Sequence, residues 1–310
     1  MIITLTPNPA VDQTVWVKDM TMGQVNRFSA SQLDPAGKGV NVARMADRLG
    51  WPTIAFGLLA GEIGLMVQQA LDREQVHYYF EHVPGQTRLD FTIVDESTGS
   101  STSFYGPGPS VPPDALTRLD ELLEFWLRTG RVLVLAGSLP PGVPESTYRR
   151  YIELAKERGV LTILDAEDDA LRLGVEAGPN VVKPNVREAE GLLGHALPDL
   201  EAVVKGGREL LERGMDAAVI SMGAQGAVCV REDGAWRALP PEVELRSTVG
   251  SGDSMVAGLA VALARGDDLL EGLRLGTAAG AATAACPGTA LGDADAVRRL
   301  LPKVKIERLA

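Results

Sequence analysis

The feature that most narrows the fold is a repeated exchange of short β-rich runs with amphipathic stretches through the middle and C-terminal parts. Val132–Ala136 (VLVLA), Leu161–Asp165, 180–183 and 217–222 are short, apolar and bounded by turn residues, as buried strands of a parallel sheet are. Helical periodicity runs near 145–158, 199–214, 252–266 and 269–285. Strand–helix alternation of this kind predicts an α/β fold, a doubly wound and mostly parallel sheet with helices on both faces.

Two regions break the alternation. Residues 12–33 carry strand-like runs at 14–17 and 25–31, and residues 87–105 carry runs at 88–94 and 100–105 across a Ser97-Thr98-Gly99 turn. Both have the polar–apolar alternation of antiparallel strands, and neither is long enough to stand alone. One small sheet built from both, projecting as a lid, is the expectation; surface hairpins without a joint role are the alternative. The main domain then comprises 1–11, 34–86 and 106–310.

Composition bounds the function. The 310 residues are 45% hydrophobic and 23% charged, ordinary for a globular chain. A net charge of −11 argues against a protein built to grip nucleic acid or an anionic membrane, while leaving room for a small anion in a local positive pocket. No apolar stretch approaches the ~20 residues of a membrane span, and MIITLTPNPAVD has neither a basic leader nor a cleavage pattern. Cys229 and Cys286 lack a CxxC or Cys/His neighbour, which points to a reducing cytoplasm with both thiols as small packing residues. His77, His82 and His195 are too few and too scattered for a metal site.

Several motifs are missing: there is no G-x-x-x-x-G-K-[ST], no G-x-G-x-x-G and no G-x-S-x-G. The sharpest feature present is Thr248-Val249-Gly250-Ser251-Gly252-Asp253-Ser254, running into MVAGLAVALA. A glycine turn opening a helix exposes consecutive backbone N–H groups at the positive end of the helix dipole, an anion hole for phosphoryl oxygens. Asp253 sits where it could take a proton from an attacking hydroxyl; an Asp capping a helix after a Gly turn looks the same. Asp34-Pro35-Ala36-Gly37-Lys38-Gly39-Val40-Asn41 brings backbone and the first turn of a second helix toward a ligand, or is a plain loop-to-helix junction.

Asn8-Pro9-Ala10-Val11-Asp12 follows the first strand, so Asp12 is expected at the C-terminal strand edge where α/β proteins bind ligands, accepting sugar hydroxyls. In Val182-Lys183-Pro184-Asn185-Val186-Arg187-Glu188, Asn185 and Glu188 lie one turn apart, suited to a water-mediated Mg²⁺ shell or to helix capping. Ile220-Ser221-Met222-Gly223-Ala224-Gln225-Gly226-Ala227 reads as strand, tight turn and strand, lining a nucleotide or forming a simple hairpin.

The set NPA-x-D, AGKGVNVAR, AGSLPPG, VKPN-x-x-E, ISMGAQGA and TVGSGDSMVAG resembles the PfkB (ribokinase-like) family of sugar kinases, from residue 2 to about 290. Within it the chain is similar to the phosphosugar branch. The resemblance implies a ribokinase-like sheet with a β lid over the sugar, and an ATP-dependent kinase acting on a primary hydroxyl of a ketohexose phosphate. Fructose 1-phosphate, giving fructose 1,6-bisphosphate, is the first expectation, before tagatose 6-phosphate and fructose 6-phosphate. Asp253 would be the base, with Gly250, Ser251 and Gly252 as the anion hole. Asp12, Gly37, Lys38 and Asn41 would hold the sugar, and Arg88 with Arg27 the phosphate it already carries. Lys183 and Asn185 would face the ATP phosphates, Glu188 the Mg²⁺ through water, and Ser221, Gly223 and Gly226 the nucleotide. A monovalent cation and a homodimer through the lid complete the expectation. The departures are GSGDS in place of the commoner GAGDS, Ala36 where a second Gly is usual, and Phe104-Tyr105-Gly106-Pro107-Gly108-Pro109 where an acidic stretch is expected, which bears on substrate choice more than on reaction type. A nicotinamide-dependent dehydrogenase is disfavoured by the missing dinucleotide fingerprint, and a non-catalytic sugar-phosphate sensor by the intact Asp253 turn.

Overall fold

The computed structural model describes residues 1–310. Its first third holds β1 (Ile2–Thr6), β2 (Ala10–Val17), β3 (Phe28–Ala36), α1 (Lys38–Arg48), β4 (Thr53–Leu59), α2 (Gly61–Glu74), β5 (Tyr78–His82), β6 (Arg88–Asp95) and β7 (Ser101–Phe104). The middle holds α3 (Pro113–Leu127), β8 (Val132–Ala136), α4 (Thr147–Glu157), β9 (Leu161–Asp165), α5 (Asp168–Glu176), β10 (Val181–Val182), α6 (Val186–Leu193), α7 (Leu200–Leu211) and β11 (Ala217–Ser221). The last part holds β12 (Ala227–Arg231), β13 (Gly234–Leu239), α8 (Ser251–Arg265), α9 (Leu269–Ala284), α10 (Ala294–Leu300) and β14 (Lys305–Arg308).

One sheet has the order β14-β13-β12-β11-β10-β9-β8-β1-β4-β5. From β11 to β5 every pairing is parallel, and β12, β13 and β14 add an antiparallel flank. The doubly wound α/β fold expected from the alternation is the fold observed. Successive strand residues serve opposite faces, as the pleat requires. Ile3, Leu5, Leu133 and Leu135 join the core that includes Leu119 and Leu123 of α3 and Tyr148 of α4. Ile2, Val132 and Val134 join the core with Val42 and Met45 of α1, Val256 of α8 and Leu273 of α9. The chain leaves β1 toward β4 and β5 on one side and resumes at β8 on the other. The crevice at that reversal is where α/β sheets take ligands.

Helices α8 and α9 pack backbone to backbone. A Cβ on Gly258 would lie 2.2 Å from the Gly276 amide nitrogen, which explains the small residues in MVAGLAVALA and GTAAGAATA. This contact, with α1 against the other flank of α8, fixes where the α8 N-terminus points.

The second sheet has the order β3-β2-β6-β7, so the two departing segments do form one sheet. Its two hairpins are antiparallel, as their alternation predicts, but β2 and β6 meet in parallel. The reason is that both strands run outward from the same edge of the main domain. Register separates its faces. Asp12 pairs with Asp34 and Asp90, and Thr14 with Gln32 and Thr92, which gives one polar row after another. Thr14, Thr92 and Ser103 look into a cavity of about 330 Å³ closed on its far side by 246–249 and 287–289. The opposite face carries the row Leu33, Gln13, Phe91 and Phe104, whose three apolar members are 41–55% exposed.

Candidate active site

The turn before α8 is built by Gly250. Its φ is +76°, a left-handed conformation that calls for glycine. Helix α8 then opens at Ser251, and its first-turn amides have no intrahelical acceptor. The Ser251 hydroxyl is buried without a partner.

Asp253, on that first turn, is 9% exposed, and its Oδ2 accepts a 2.8 Å hydrogen bond from Asn41 Nδ2 on α1. Burial, with Asp165 nearby, raises its pKa to about 6 against the opposing pull of Asn41, Lys38 and Lys183. A carboxylate in this setting is ionised at neutral pH yet basic enough to take a proton. Lys183 lies against the same turn, its Nζ 3.5 Å from where a Cβ on Gly252 would be.

Lys183 Nζ lies 3.3 Å from one oxygen of Asp165, and Lys38 Nζ lies 3.3 Å from the other. Lys38 also contacts Glu167 at 2.9 Å and Glu188 at 3.9 Å. Burial works against the charge on Asp165, but the two lysines outweigh it and hold the carboxyl below its ordinary range. Burial likewise opposes the Lys38 charge, and Asp165, Glu167 and Glu188 raise its pKa despite that.

Asn185 and Glu188 form a capping box at the start of α6. Asn185 Oδ1 accepts from the Glu188 N–H at 2.9 Å, and Glu188 Oε2 accepts from the Asn185 N–H at 2.8 Å. Glu188 Oε1 remains outside this box and turns toward Lys38. An all-oxygen donor of this kind, beside the helix turn that would meet phosphates, fits a hydrated divalent cation. Ser221 stands next to this segment, its N–H bonded to the Pro184 carbonyl at 3.0 Å. Gly223 opens a 3₁₀ turn over 223–225 with open space where a side chain would be. Gly226 has a local reason of its own: a Cβ would fall 1.9 Å from the Ala238 carbonyl of β13.

Asp12 is not on the edge of β1 as expected but is the third residue of β2. The chain enters the small sheet at Ala10, so the carboxylate reaches the crevice from above, beside Asp90 and Asp34. Burial first, then the Asp90 charge, raises its pKa to about 7. Gly37, with φ +112°, has Thr6 and Pro9 within about 3.0 Å of where a Cβ would be. Arg88 joins the same end: its Nη1 bonds Asp90 at 2.7 Å, and Nε and Nη2 donate to the Asn8 carbonyl at 3.3 and 3.2 Å.

Arg27 is not brought in. It is exposed in the loop between β2 and β3, next to the Val17–Phe28 pair. That is five positions from Asp12, roughly 16 Å at strand rise. Asp165 and Asp90 were not singled out from the sequence, and Asp34 stood there only as the first residue of its motif. The strand-end rule applied there to Asp12 picks out Asp165, the last residue of β9, and strand alternation puts Asp90 on the face of Arg88.

The chain matches the pfkB family carbohydrate kinase over residues 6–296. It belongs to that family. It is 35% identical over 309 residues to the 1-phosphofructokinase of Bacillus subtilis, covering 100% of both chains. It is 40% identical over 278 residues to that of Rhodobacter capsulatus, covering 89% of this chain and 88% of the relative. The Escherichia coli phosphofructokinase-2 in complex with substrates and products superposes with a TM-score of 0.92 at 31% identity, over 97% of this chain and 98% of that one. The same E. coli enzyme is known with potassium and in a tetrameric inhibited form. This chain is therefore an ATP-dependent phosphotransferase acting on a sugar hydroxyl, and such kinases take ATP with a divalent cation.

The pKa of Asp12 bears on stability. Between its ordinary 3.8 and about 7 the folded state binds the proton more firmly than the unfolded one. Stability contributed by this group therefore falls as pH rises through that window. Asp12→Asn should raise the ligand-free Tm at about pH 8, with the gain fading by about pH 4. Scanning calorimetry across pH checks this; a Tm difference independent of pH would contradict it.

Proposed function

We propose that this kinase transfers the γ-phosphoryl group of MgATP to the 6-hydroxyl of fructose 1-phosphate. The observation that carries the reading is the buried Asp253, bonded to Asn41 at the mouth of α8 and close enough to Asp12 for each charge to be felt by the other. The names of the 1-phosphofructokinases it resembles support the acceptor; tagatose 6-phosphate and fructose 6-phosphate rank next.

In this reading Asp12 and Asn41 hydrogen-bond the sugar hydroxyls, the Gly37 backbone lies against the ring, and Arg88 pairs with the phosphate already present. Asp253 accepts the hydroxyl proton as that oxygen bonds to the γ-phosphorus and the bond to the bridging oxygen of ADP breaks. The amides at Gly250, Ser251 and Gly252 stabilise the charge on the transferred group. Lys183 and Asn185 lie on the ATP-phosphate side. Lys38, expected on the sugar, is read here with them, because its contacts are Asp165, Glu167 and Glu188. Glu188 would hold Mg²⁺ through water, and the ion, when bound, neutralises phosphate charge. Ser221, Gly223 and Gly226 border the nucleotide. Arg27 lies outside the single-chain cleft, so Arg88 carries the phosphate contact.

The small sheet serves as a lid on the main domain, excluding water so that ATP is not hydrolysed. Its exposed Leu33, Phe91 and Phe104 suit a second copy of this chain, making a homodimer. A monovalent-cation requirement is carried over from the potassium complex of the E. coli relative. Cys229 and Cys286 are unpaired, which suits a cytoplasmic setting, and no helix is long and apolar enough to cross a membrane.

ADP release from MgATP with fructose 1-phosphate, fructose 6-phosphate, tagatose 6-phosphate and free fructose tests the acceptor. Fructose 1-phosphate should be preferred, and Arg88→Ala should raise its KM by roughly tenfold to a hundredfold, the loss of a charge-assisted contact. Preference for free fructose, or an unchanged KM, would contradict the reading. Phe91→Glu should shift the protein from dimer to monomer in sedimentation; an unaltered dimer would remove the lid from the interface.

A further inference from the structure

Arg44 lies on α1 one turn beyond Asn41, and its residue is only 3% exposed. Most helical arginines on an α/β surface reach solvent; this one turns inward and uses its whole fork. Nε and Nη2 donate to the two carboxylate oxygens of Glu74, at 3.0 and 2.5 Å. Nη1 donates to the Pro35 carbonyl at 3.1 Å and to Asn41 Oδ1 at 3.3 Å. Glu74 is itself steadied by Arg48 at 3.1 Å, which donates in turn to the Leu291 carbonyl at 2.8 Å.

A guanidinium has donors only, so the Asn41 side chain must present its oxygen to Arg44. Its NH₂ group is then obliged to face Asp253. Without Arg44 nothing on this side fixes the amide, and a half-turn would set an oxygen against the carboxylate. We infer that Arg44 is a positioning residue for phosphoryl transfer, orienting the Asn41 amide so that it donates to Asp253 and aims the free carboxylate oxygen at the acceptor hydroxyl. Glu74 holds the guanidinium in place, and the Pro35 contact ties the same group to the end of β3, where the small sheet rejoins the main domain. The inference rests on the reading of Asp253 as the base.

The other charges facing Asp253 are Asp165 at the end of β9, Lys38 on α1, Lys183 after β10 and Asp12 on β2. Arg44 hydrogen-bonds none of them, and its link toward Asp253 runs through the Asn41 amide. Losing a donor to the charged form raises a carboxyl pKa.

The test is the pH profile of kcat in the full-length enzyme with MgATP and fructose 1-phosphate, alongside Tm. Arg44→Met should lower kcat by roughly tenfold to a hundredfold and move the acid limb to higher pH. Arg44→Lys keeps the charge but cannot serve Glu74, Pro35 and Asn41 together, so it should show the same displacement in smaller measure; it answers the question if Arg44→Met does not fold. Folded variants with a lowered Tm and an acid limb that stays in place would make Arg44 a strut between α1 and α2 and overturn the inference alone. A wild-type profile with no acid limb would overturn the base assignment, and this inference with it.

Discussion

The hydrogen bond from Asn41 to Asp253 joins residues 212 positions apart, and the rest of the architecture serves to make it. It forms only because α1 and α8 pack side by side on one face of the sheet. On its other flank α8 is held by the backbone contact with α9 at Gly258 and Gly276. The small residues of the two C-terminal helices are thus a remote condition for the buried carboxylate at the mouth of the crevice. Binding energy is not needed at that moment to organise the site, since core packing has already set it.

The crevice also gathers charge that burial disfavours. Asp253 and Asp12 both have raised pKa values, whereas Asp165 stays low because two lysines share it. One end of the site therefore holds acids reluctant to ionise, and the other holds a closed cluster of opposite charges. Any anion that takes Lys38 must compete with Asp165 and Glu167 for it, so the lysine is held in place and not free in solution. An excess of acidic residues over the whole chain is compatible with an anionic substrate for this reason: the cations that matter are local, few and held in place.

Much of this was legible beforehand. Continuous apolar runs such as VLVLA announce buried parallel strands, and the 251–265 and 269–284 helices follow their periodicity closely. Alternation in 88–95 revealed the small sheet. That β2 and β6 meet in parallel was not legible, because strand direction between distant segments is decided by where each leaves the main domain. The Gly250 turn and Asp253 stood out as a motif. Asp165 did not, since an aspartate ending a short strand is unremarkable until two lysines are seen around it. Arg44 was hidden for a related reason: in sequence it is one more charge on an amphipathic helix, and only the fold buries it beside Glu74.

The most direct measurement is single-turnover phosphoryl transfer in Asp253→Asn, with ATP and fructose 1-phosphate binding followed by calorimetry. Asparagine keeps the shape of the side chain and removes the proton acceptor, so transfer should fall by about a hundredfold or more while both ligands still bind. Transfer near the wild-type rate in a variant that binds both would contradict the assignment of Asp253 as the base.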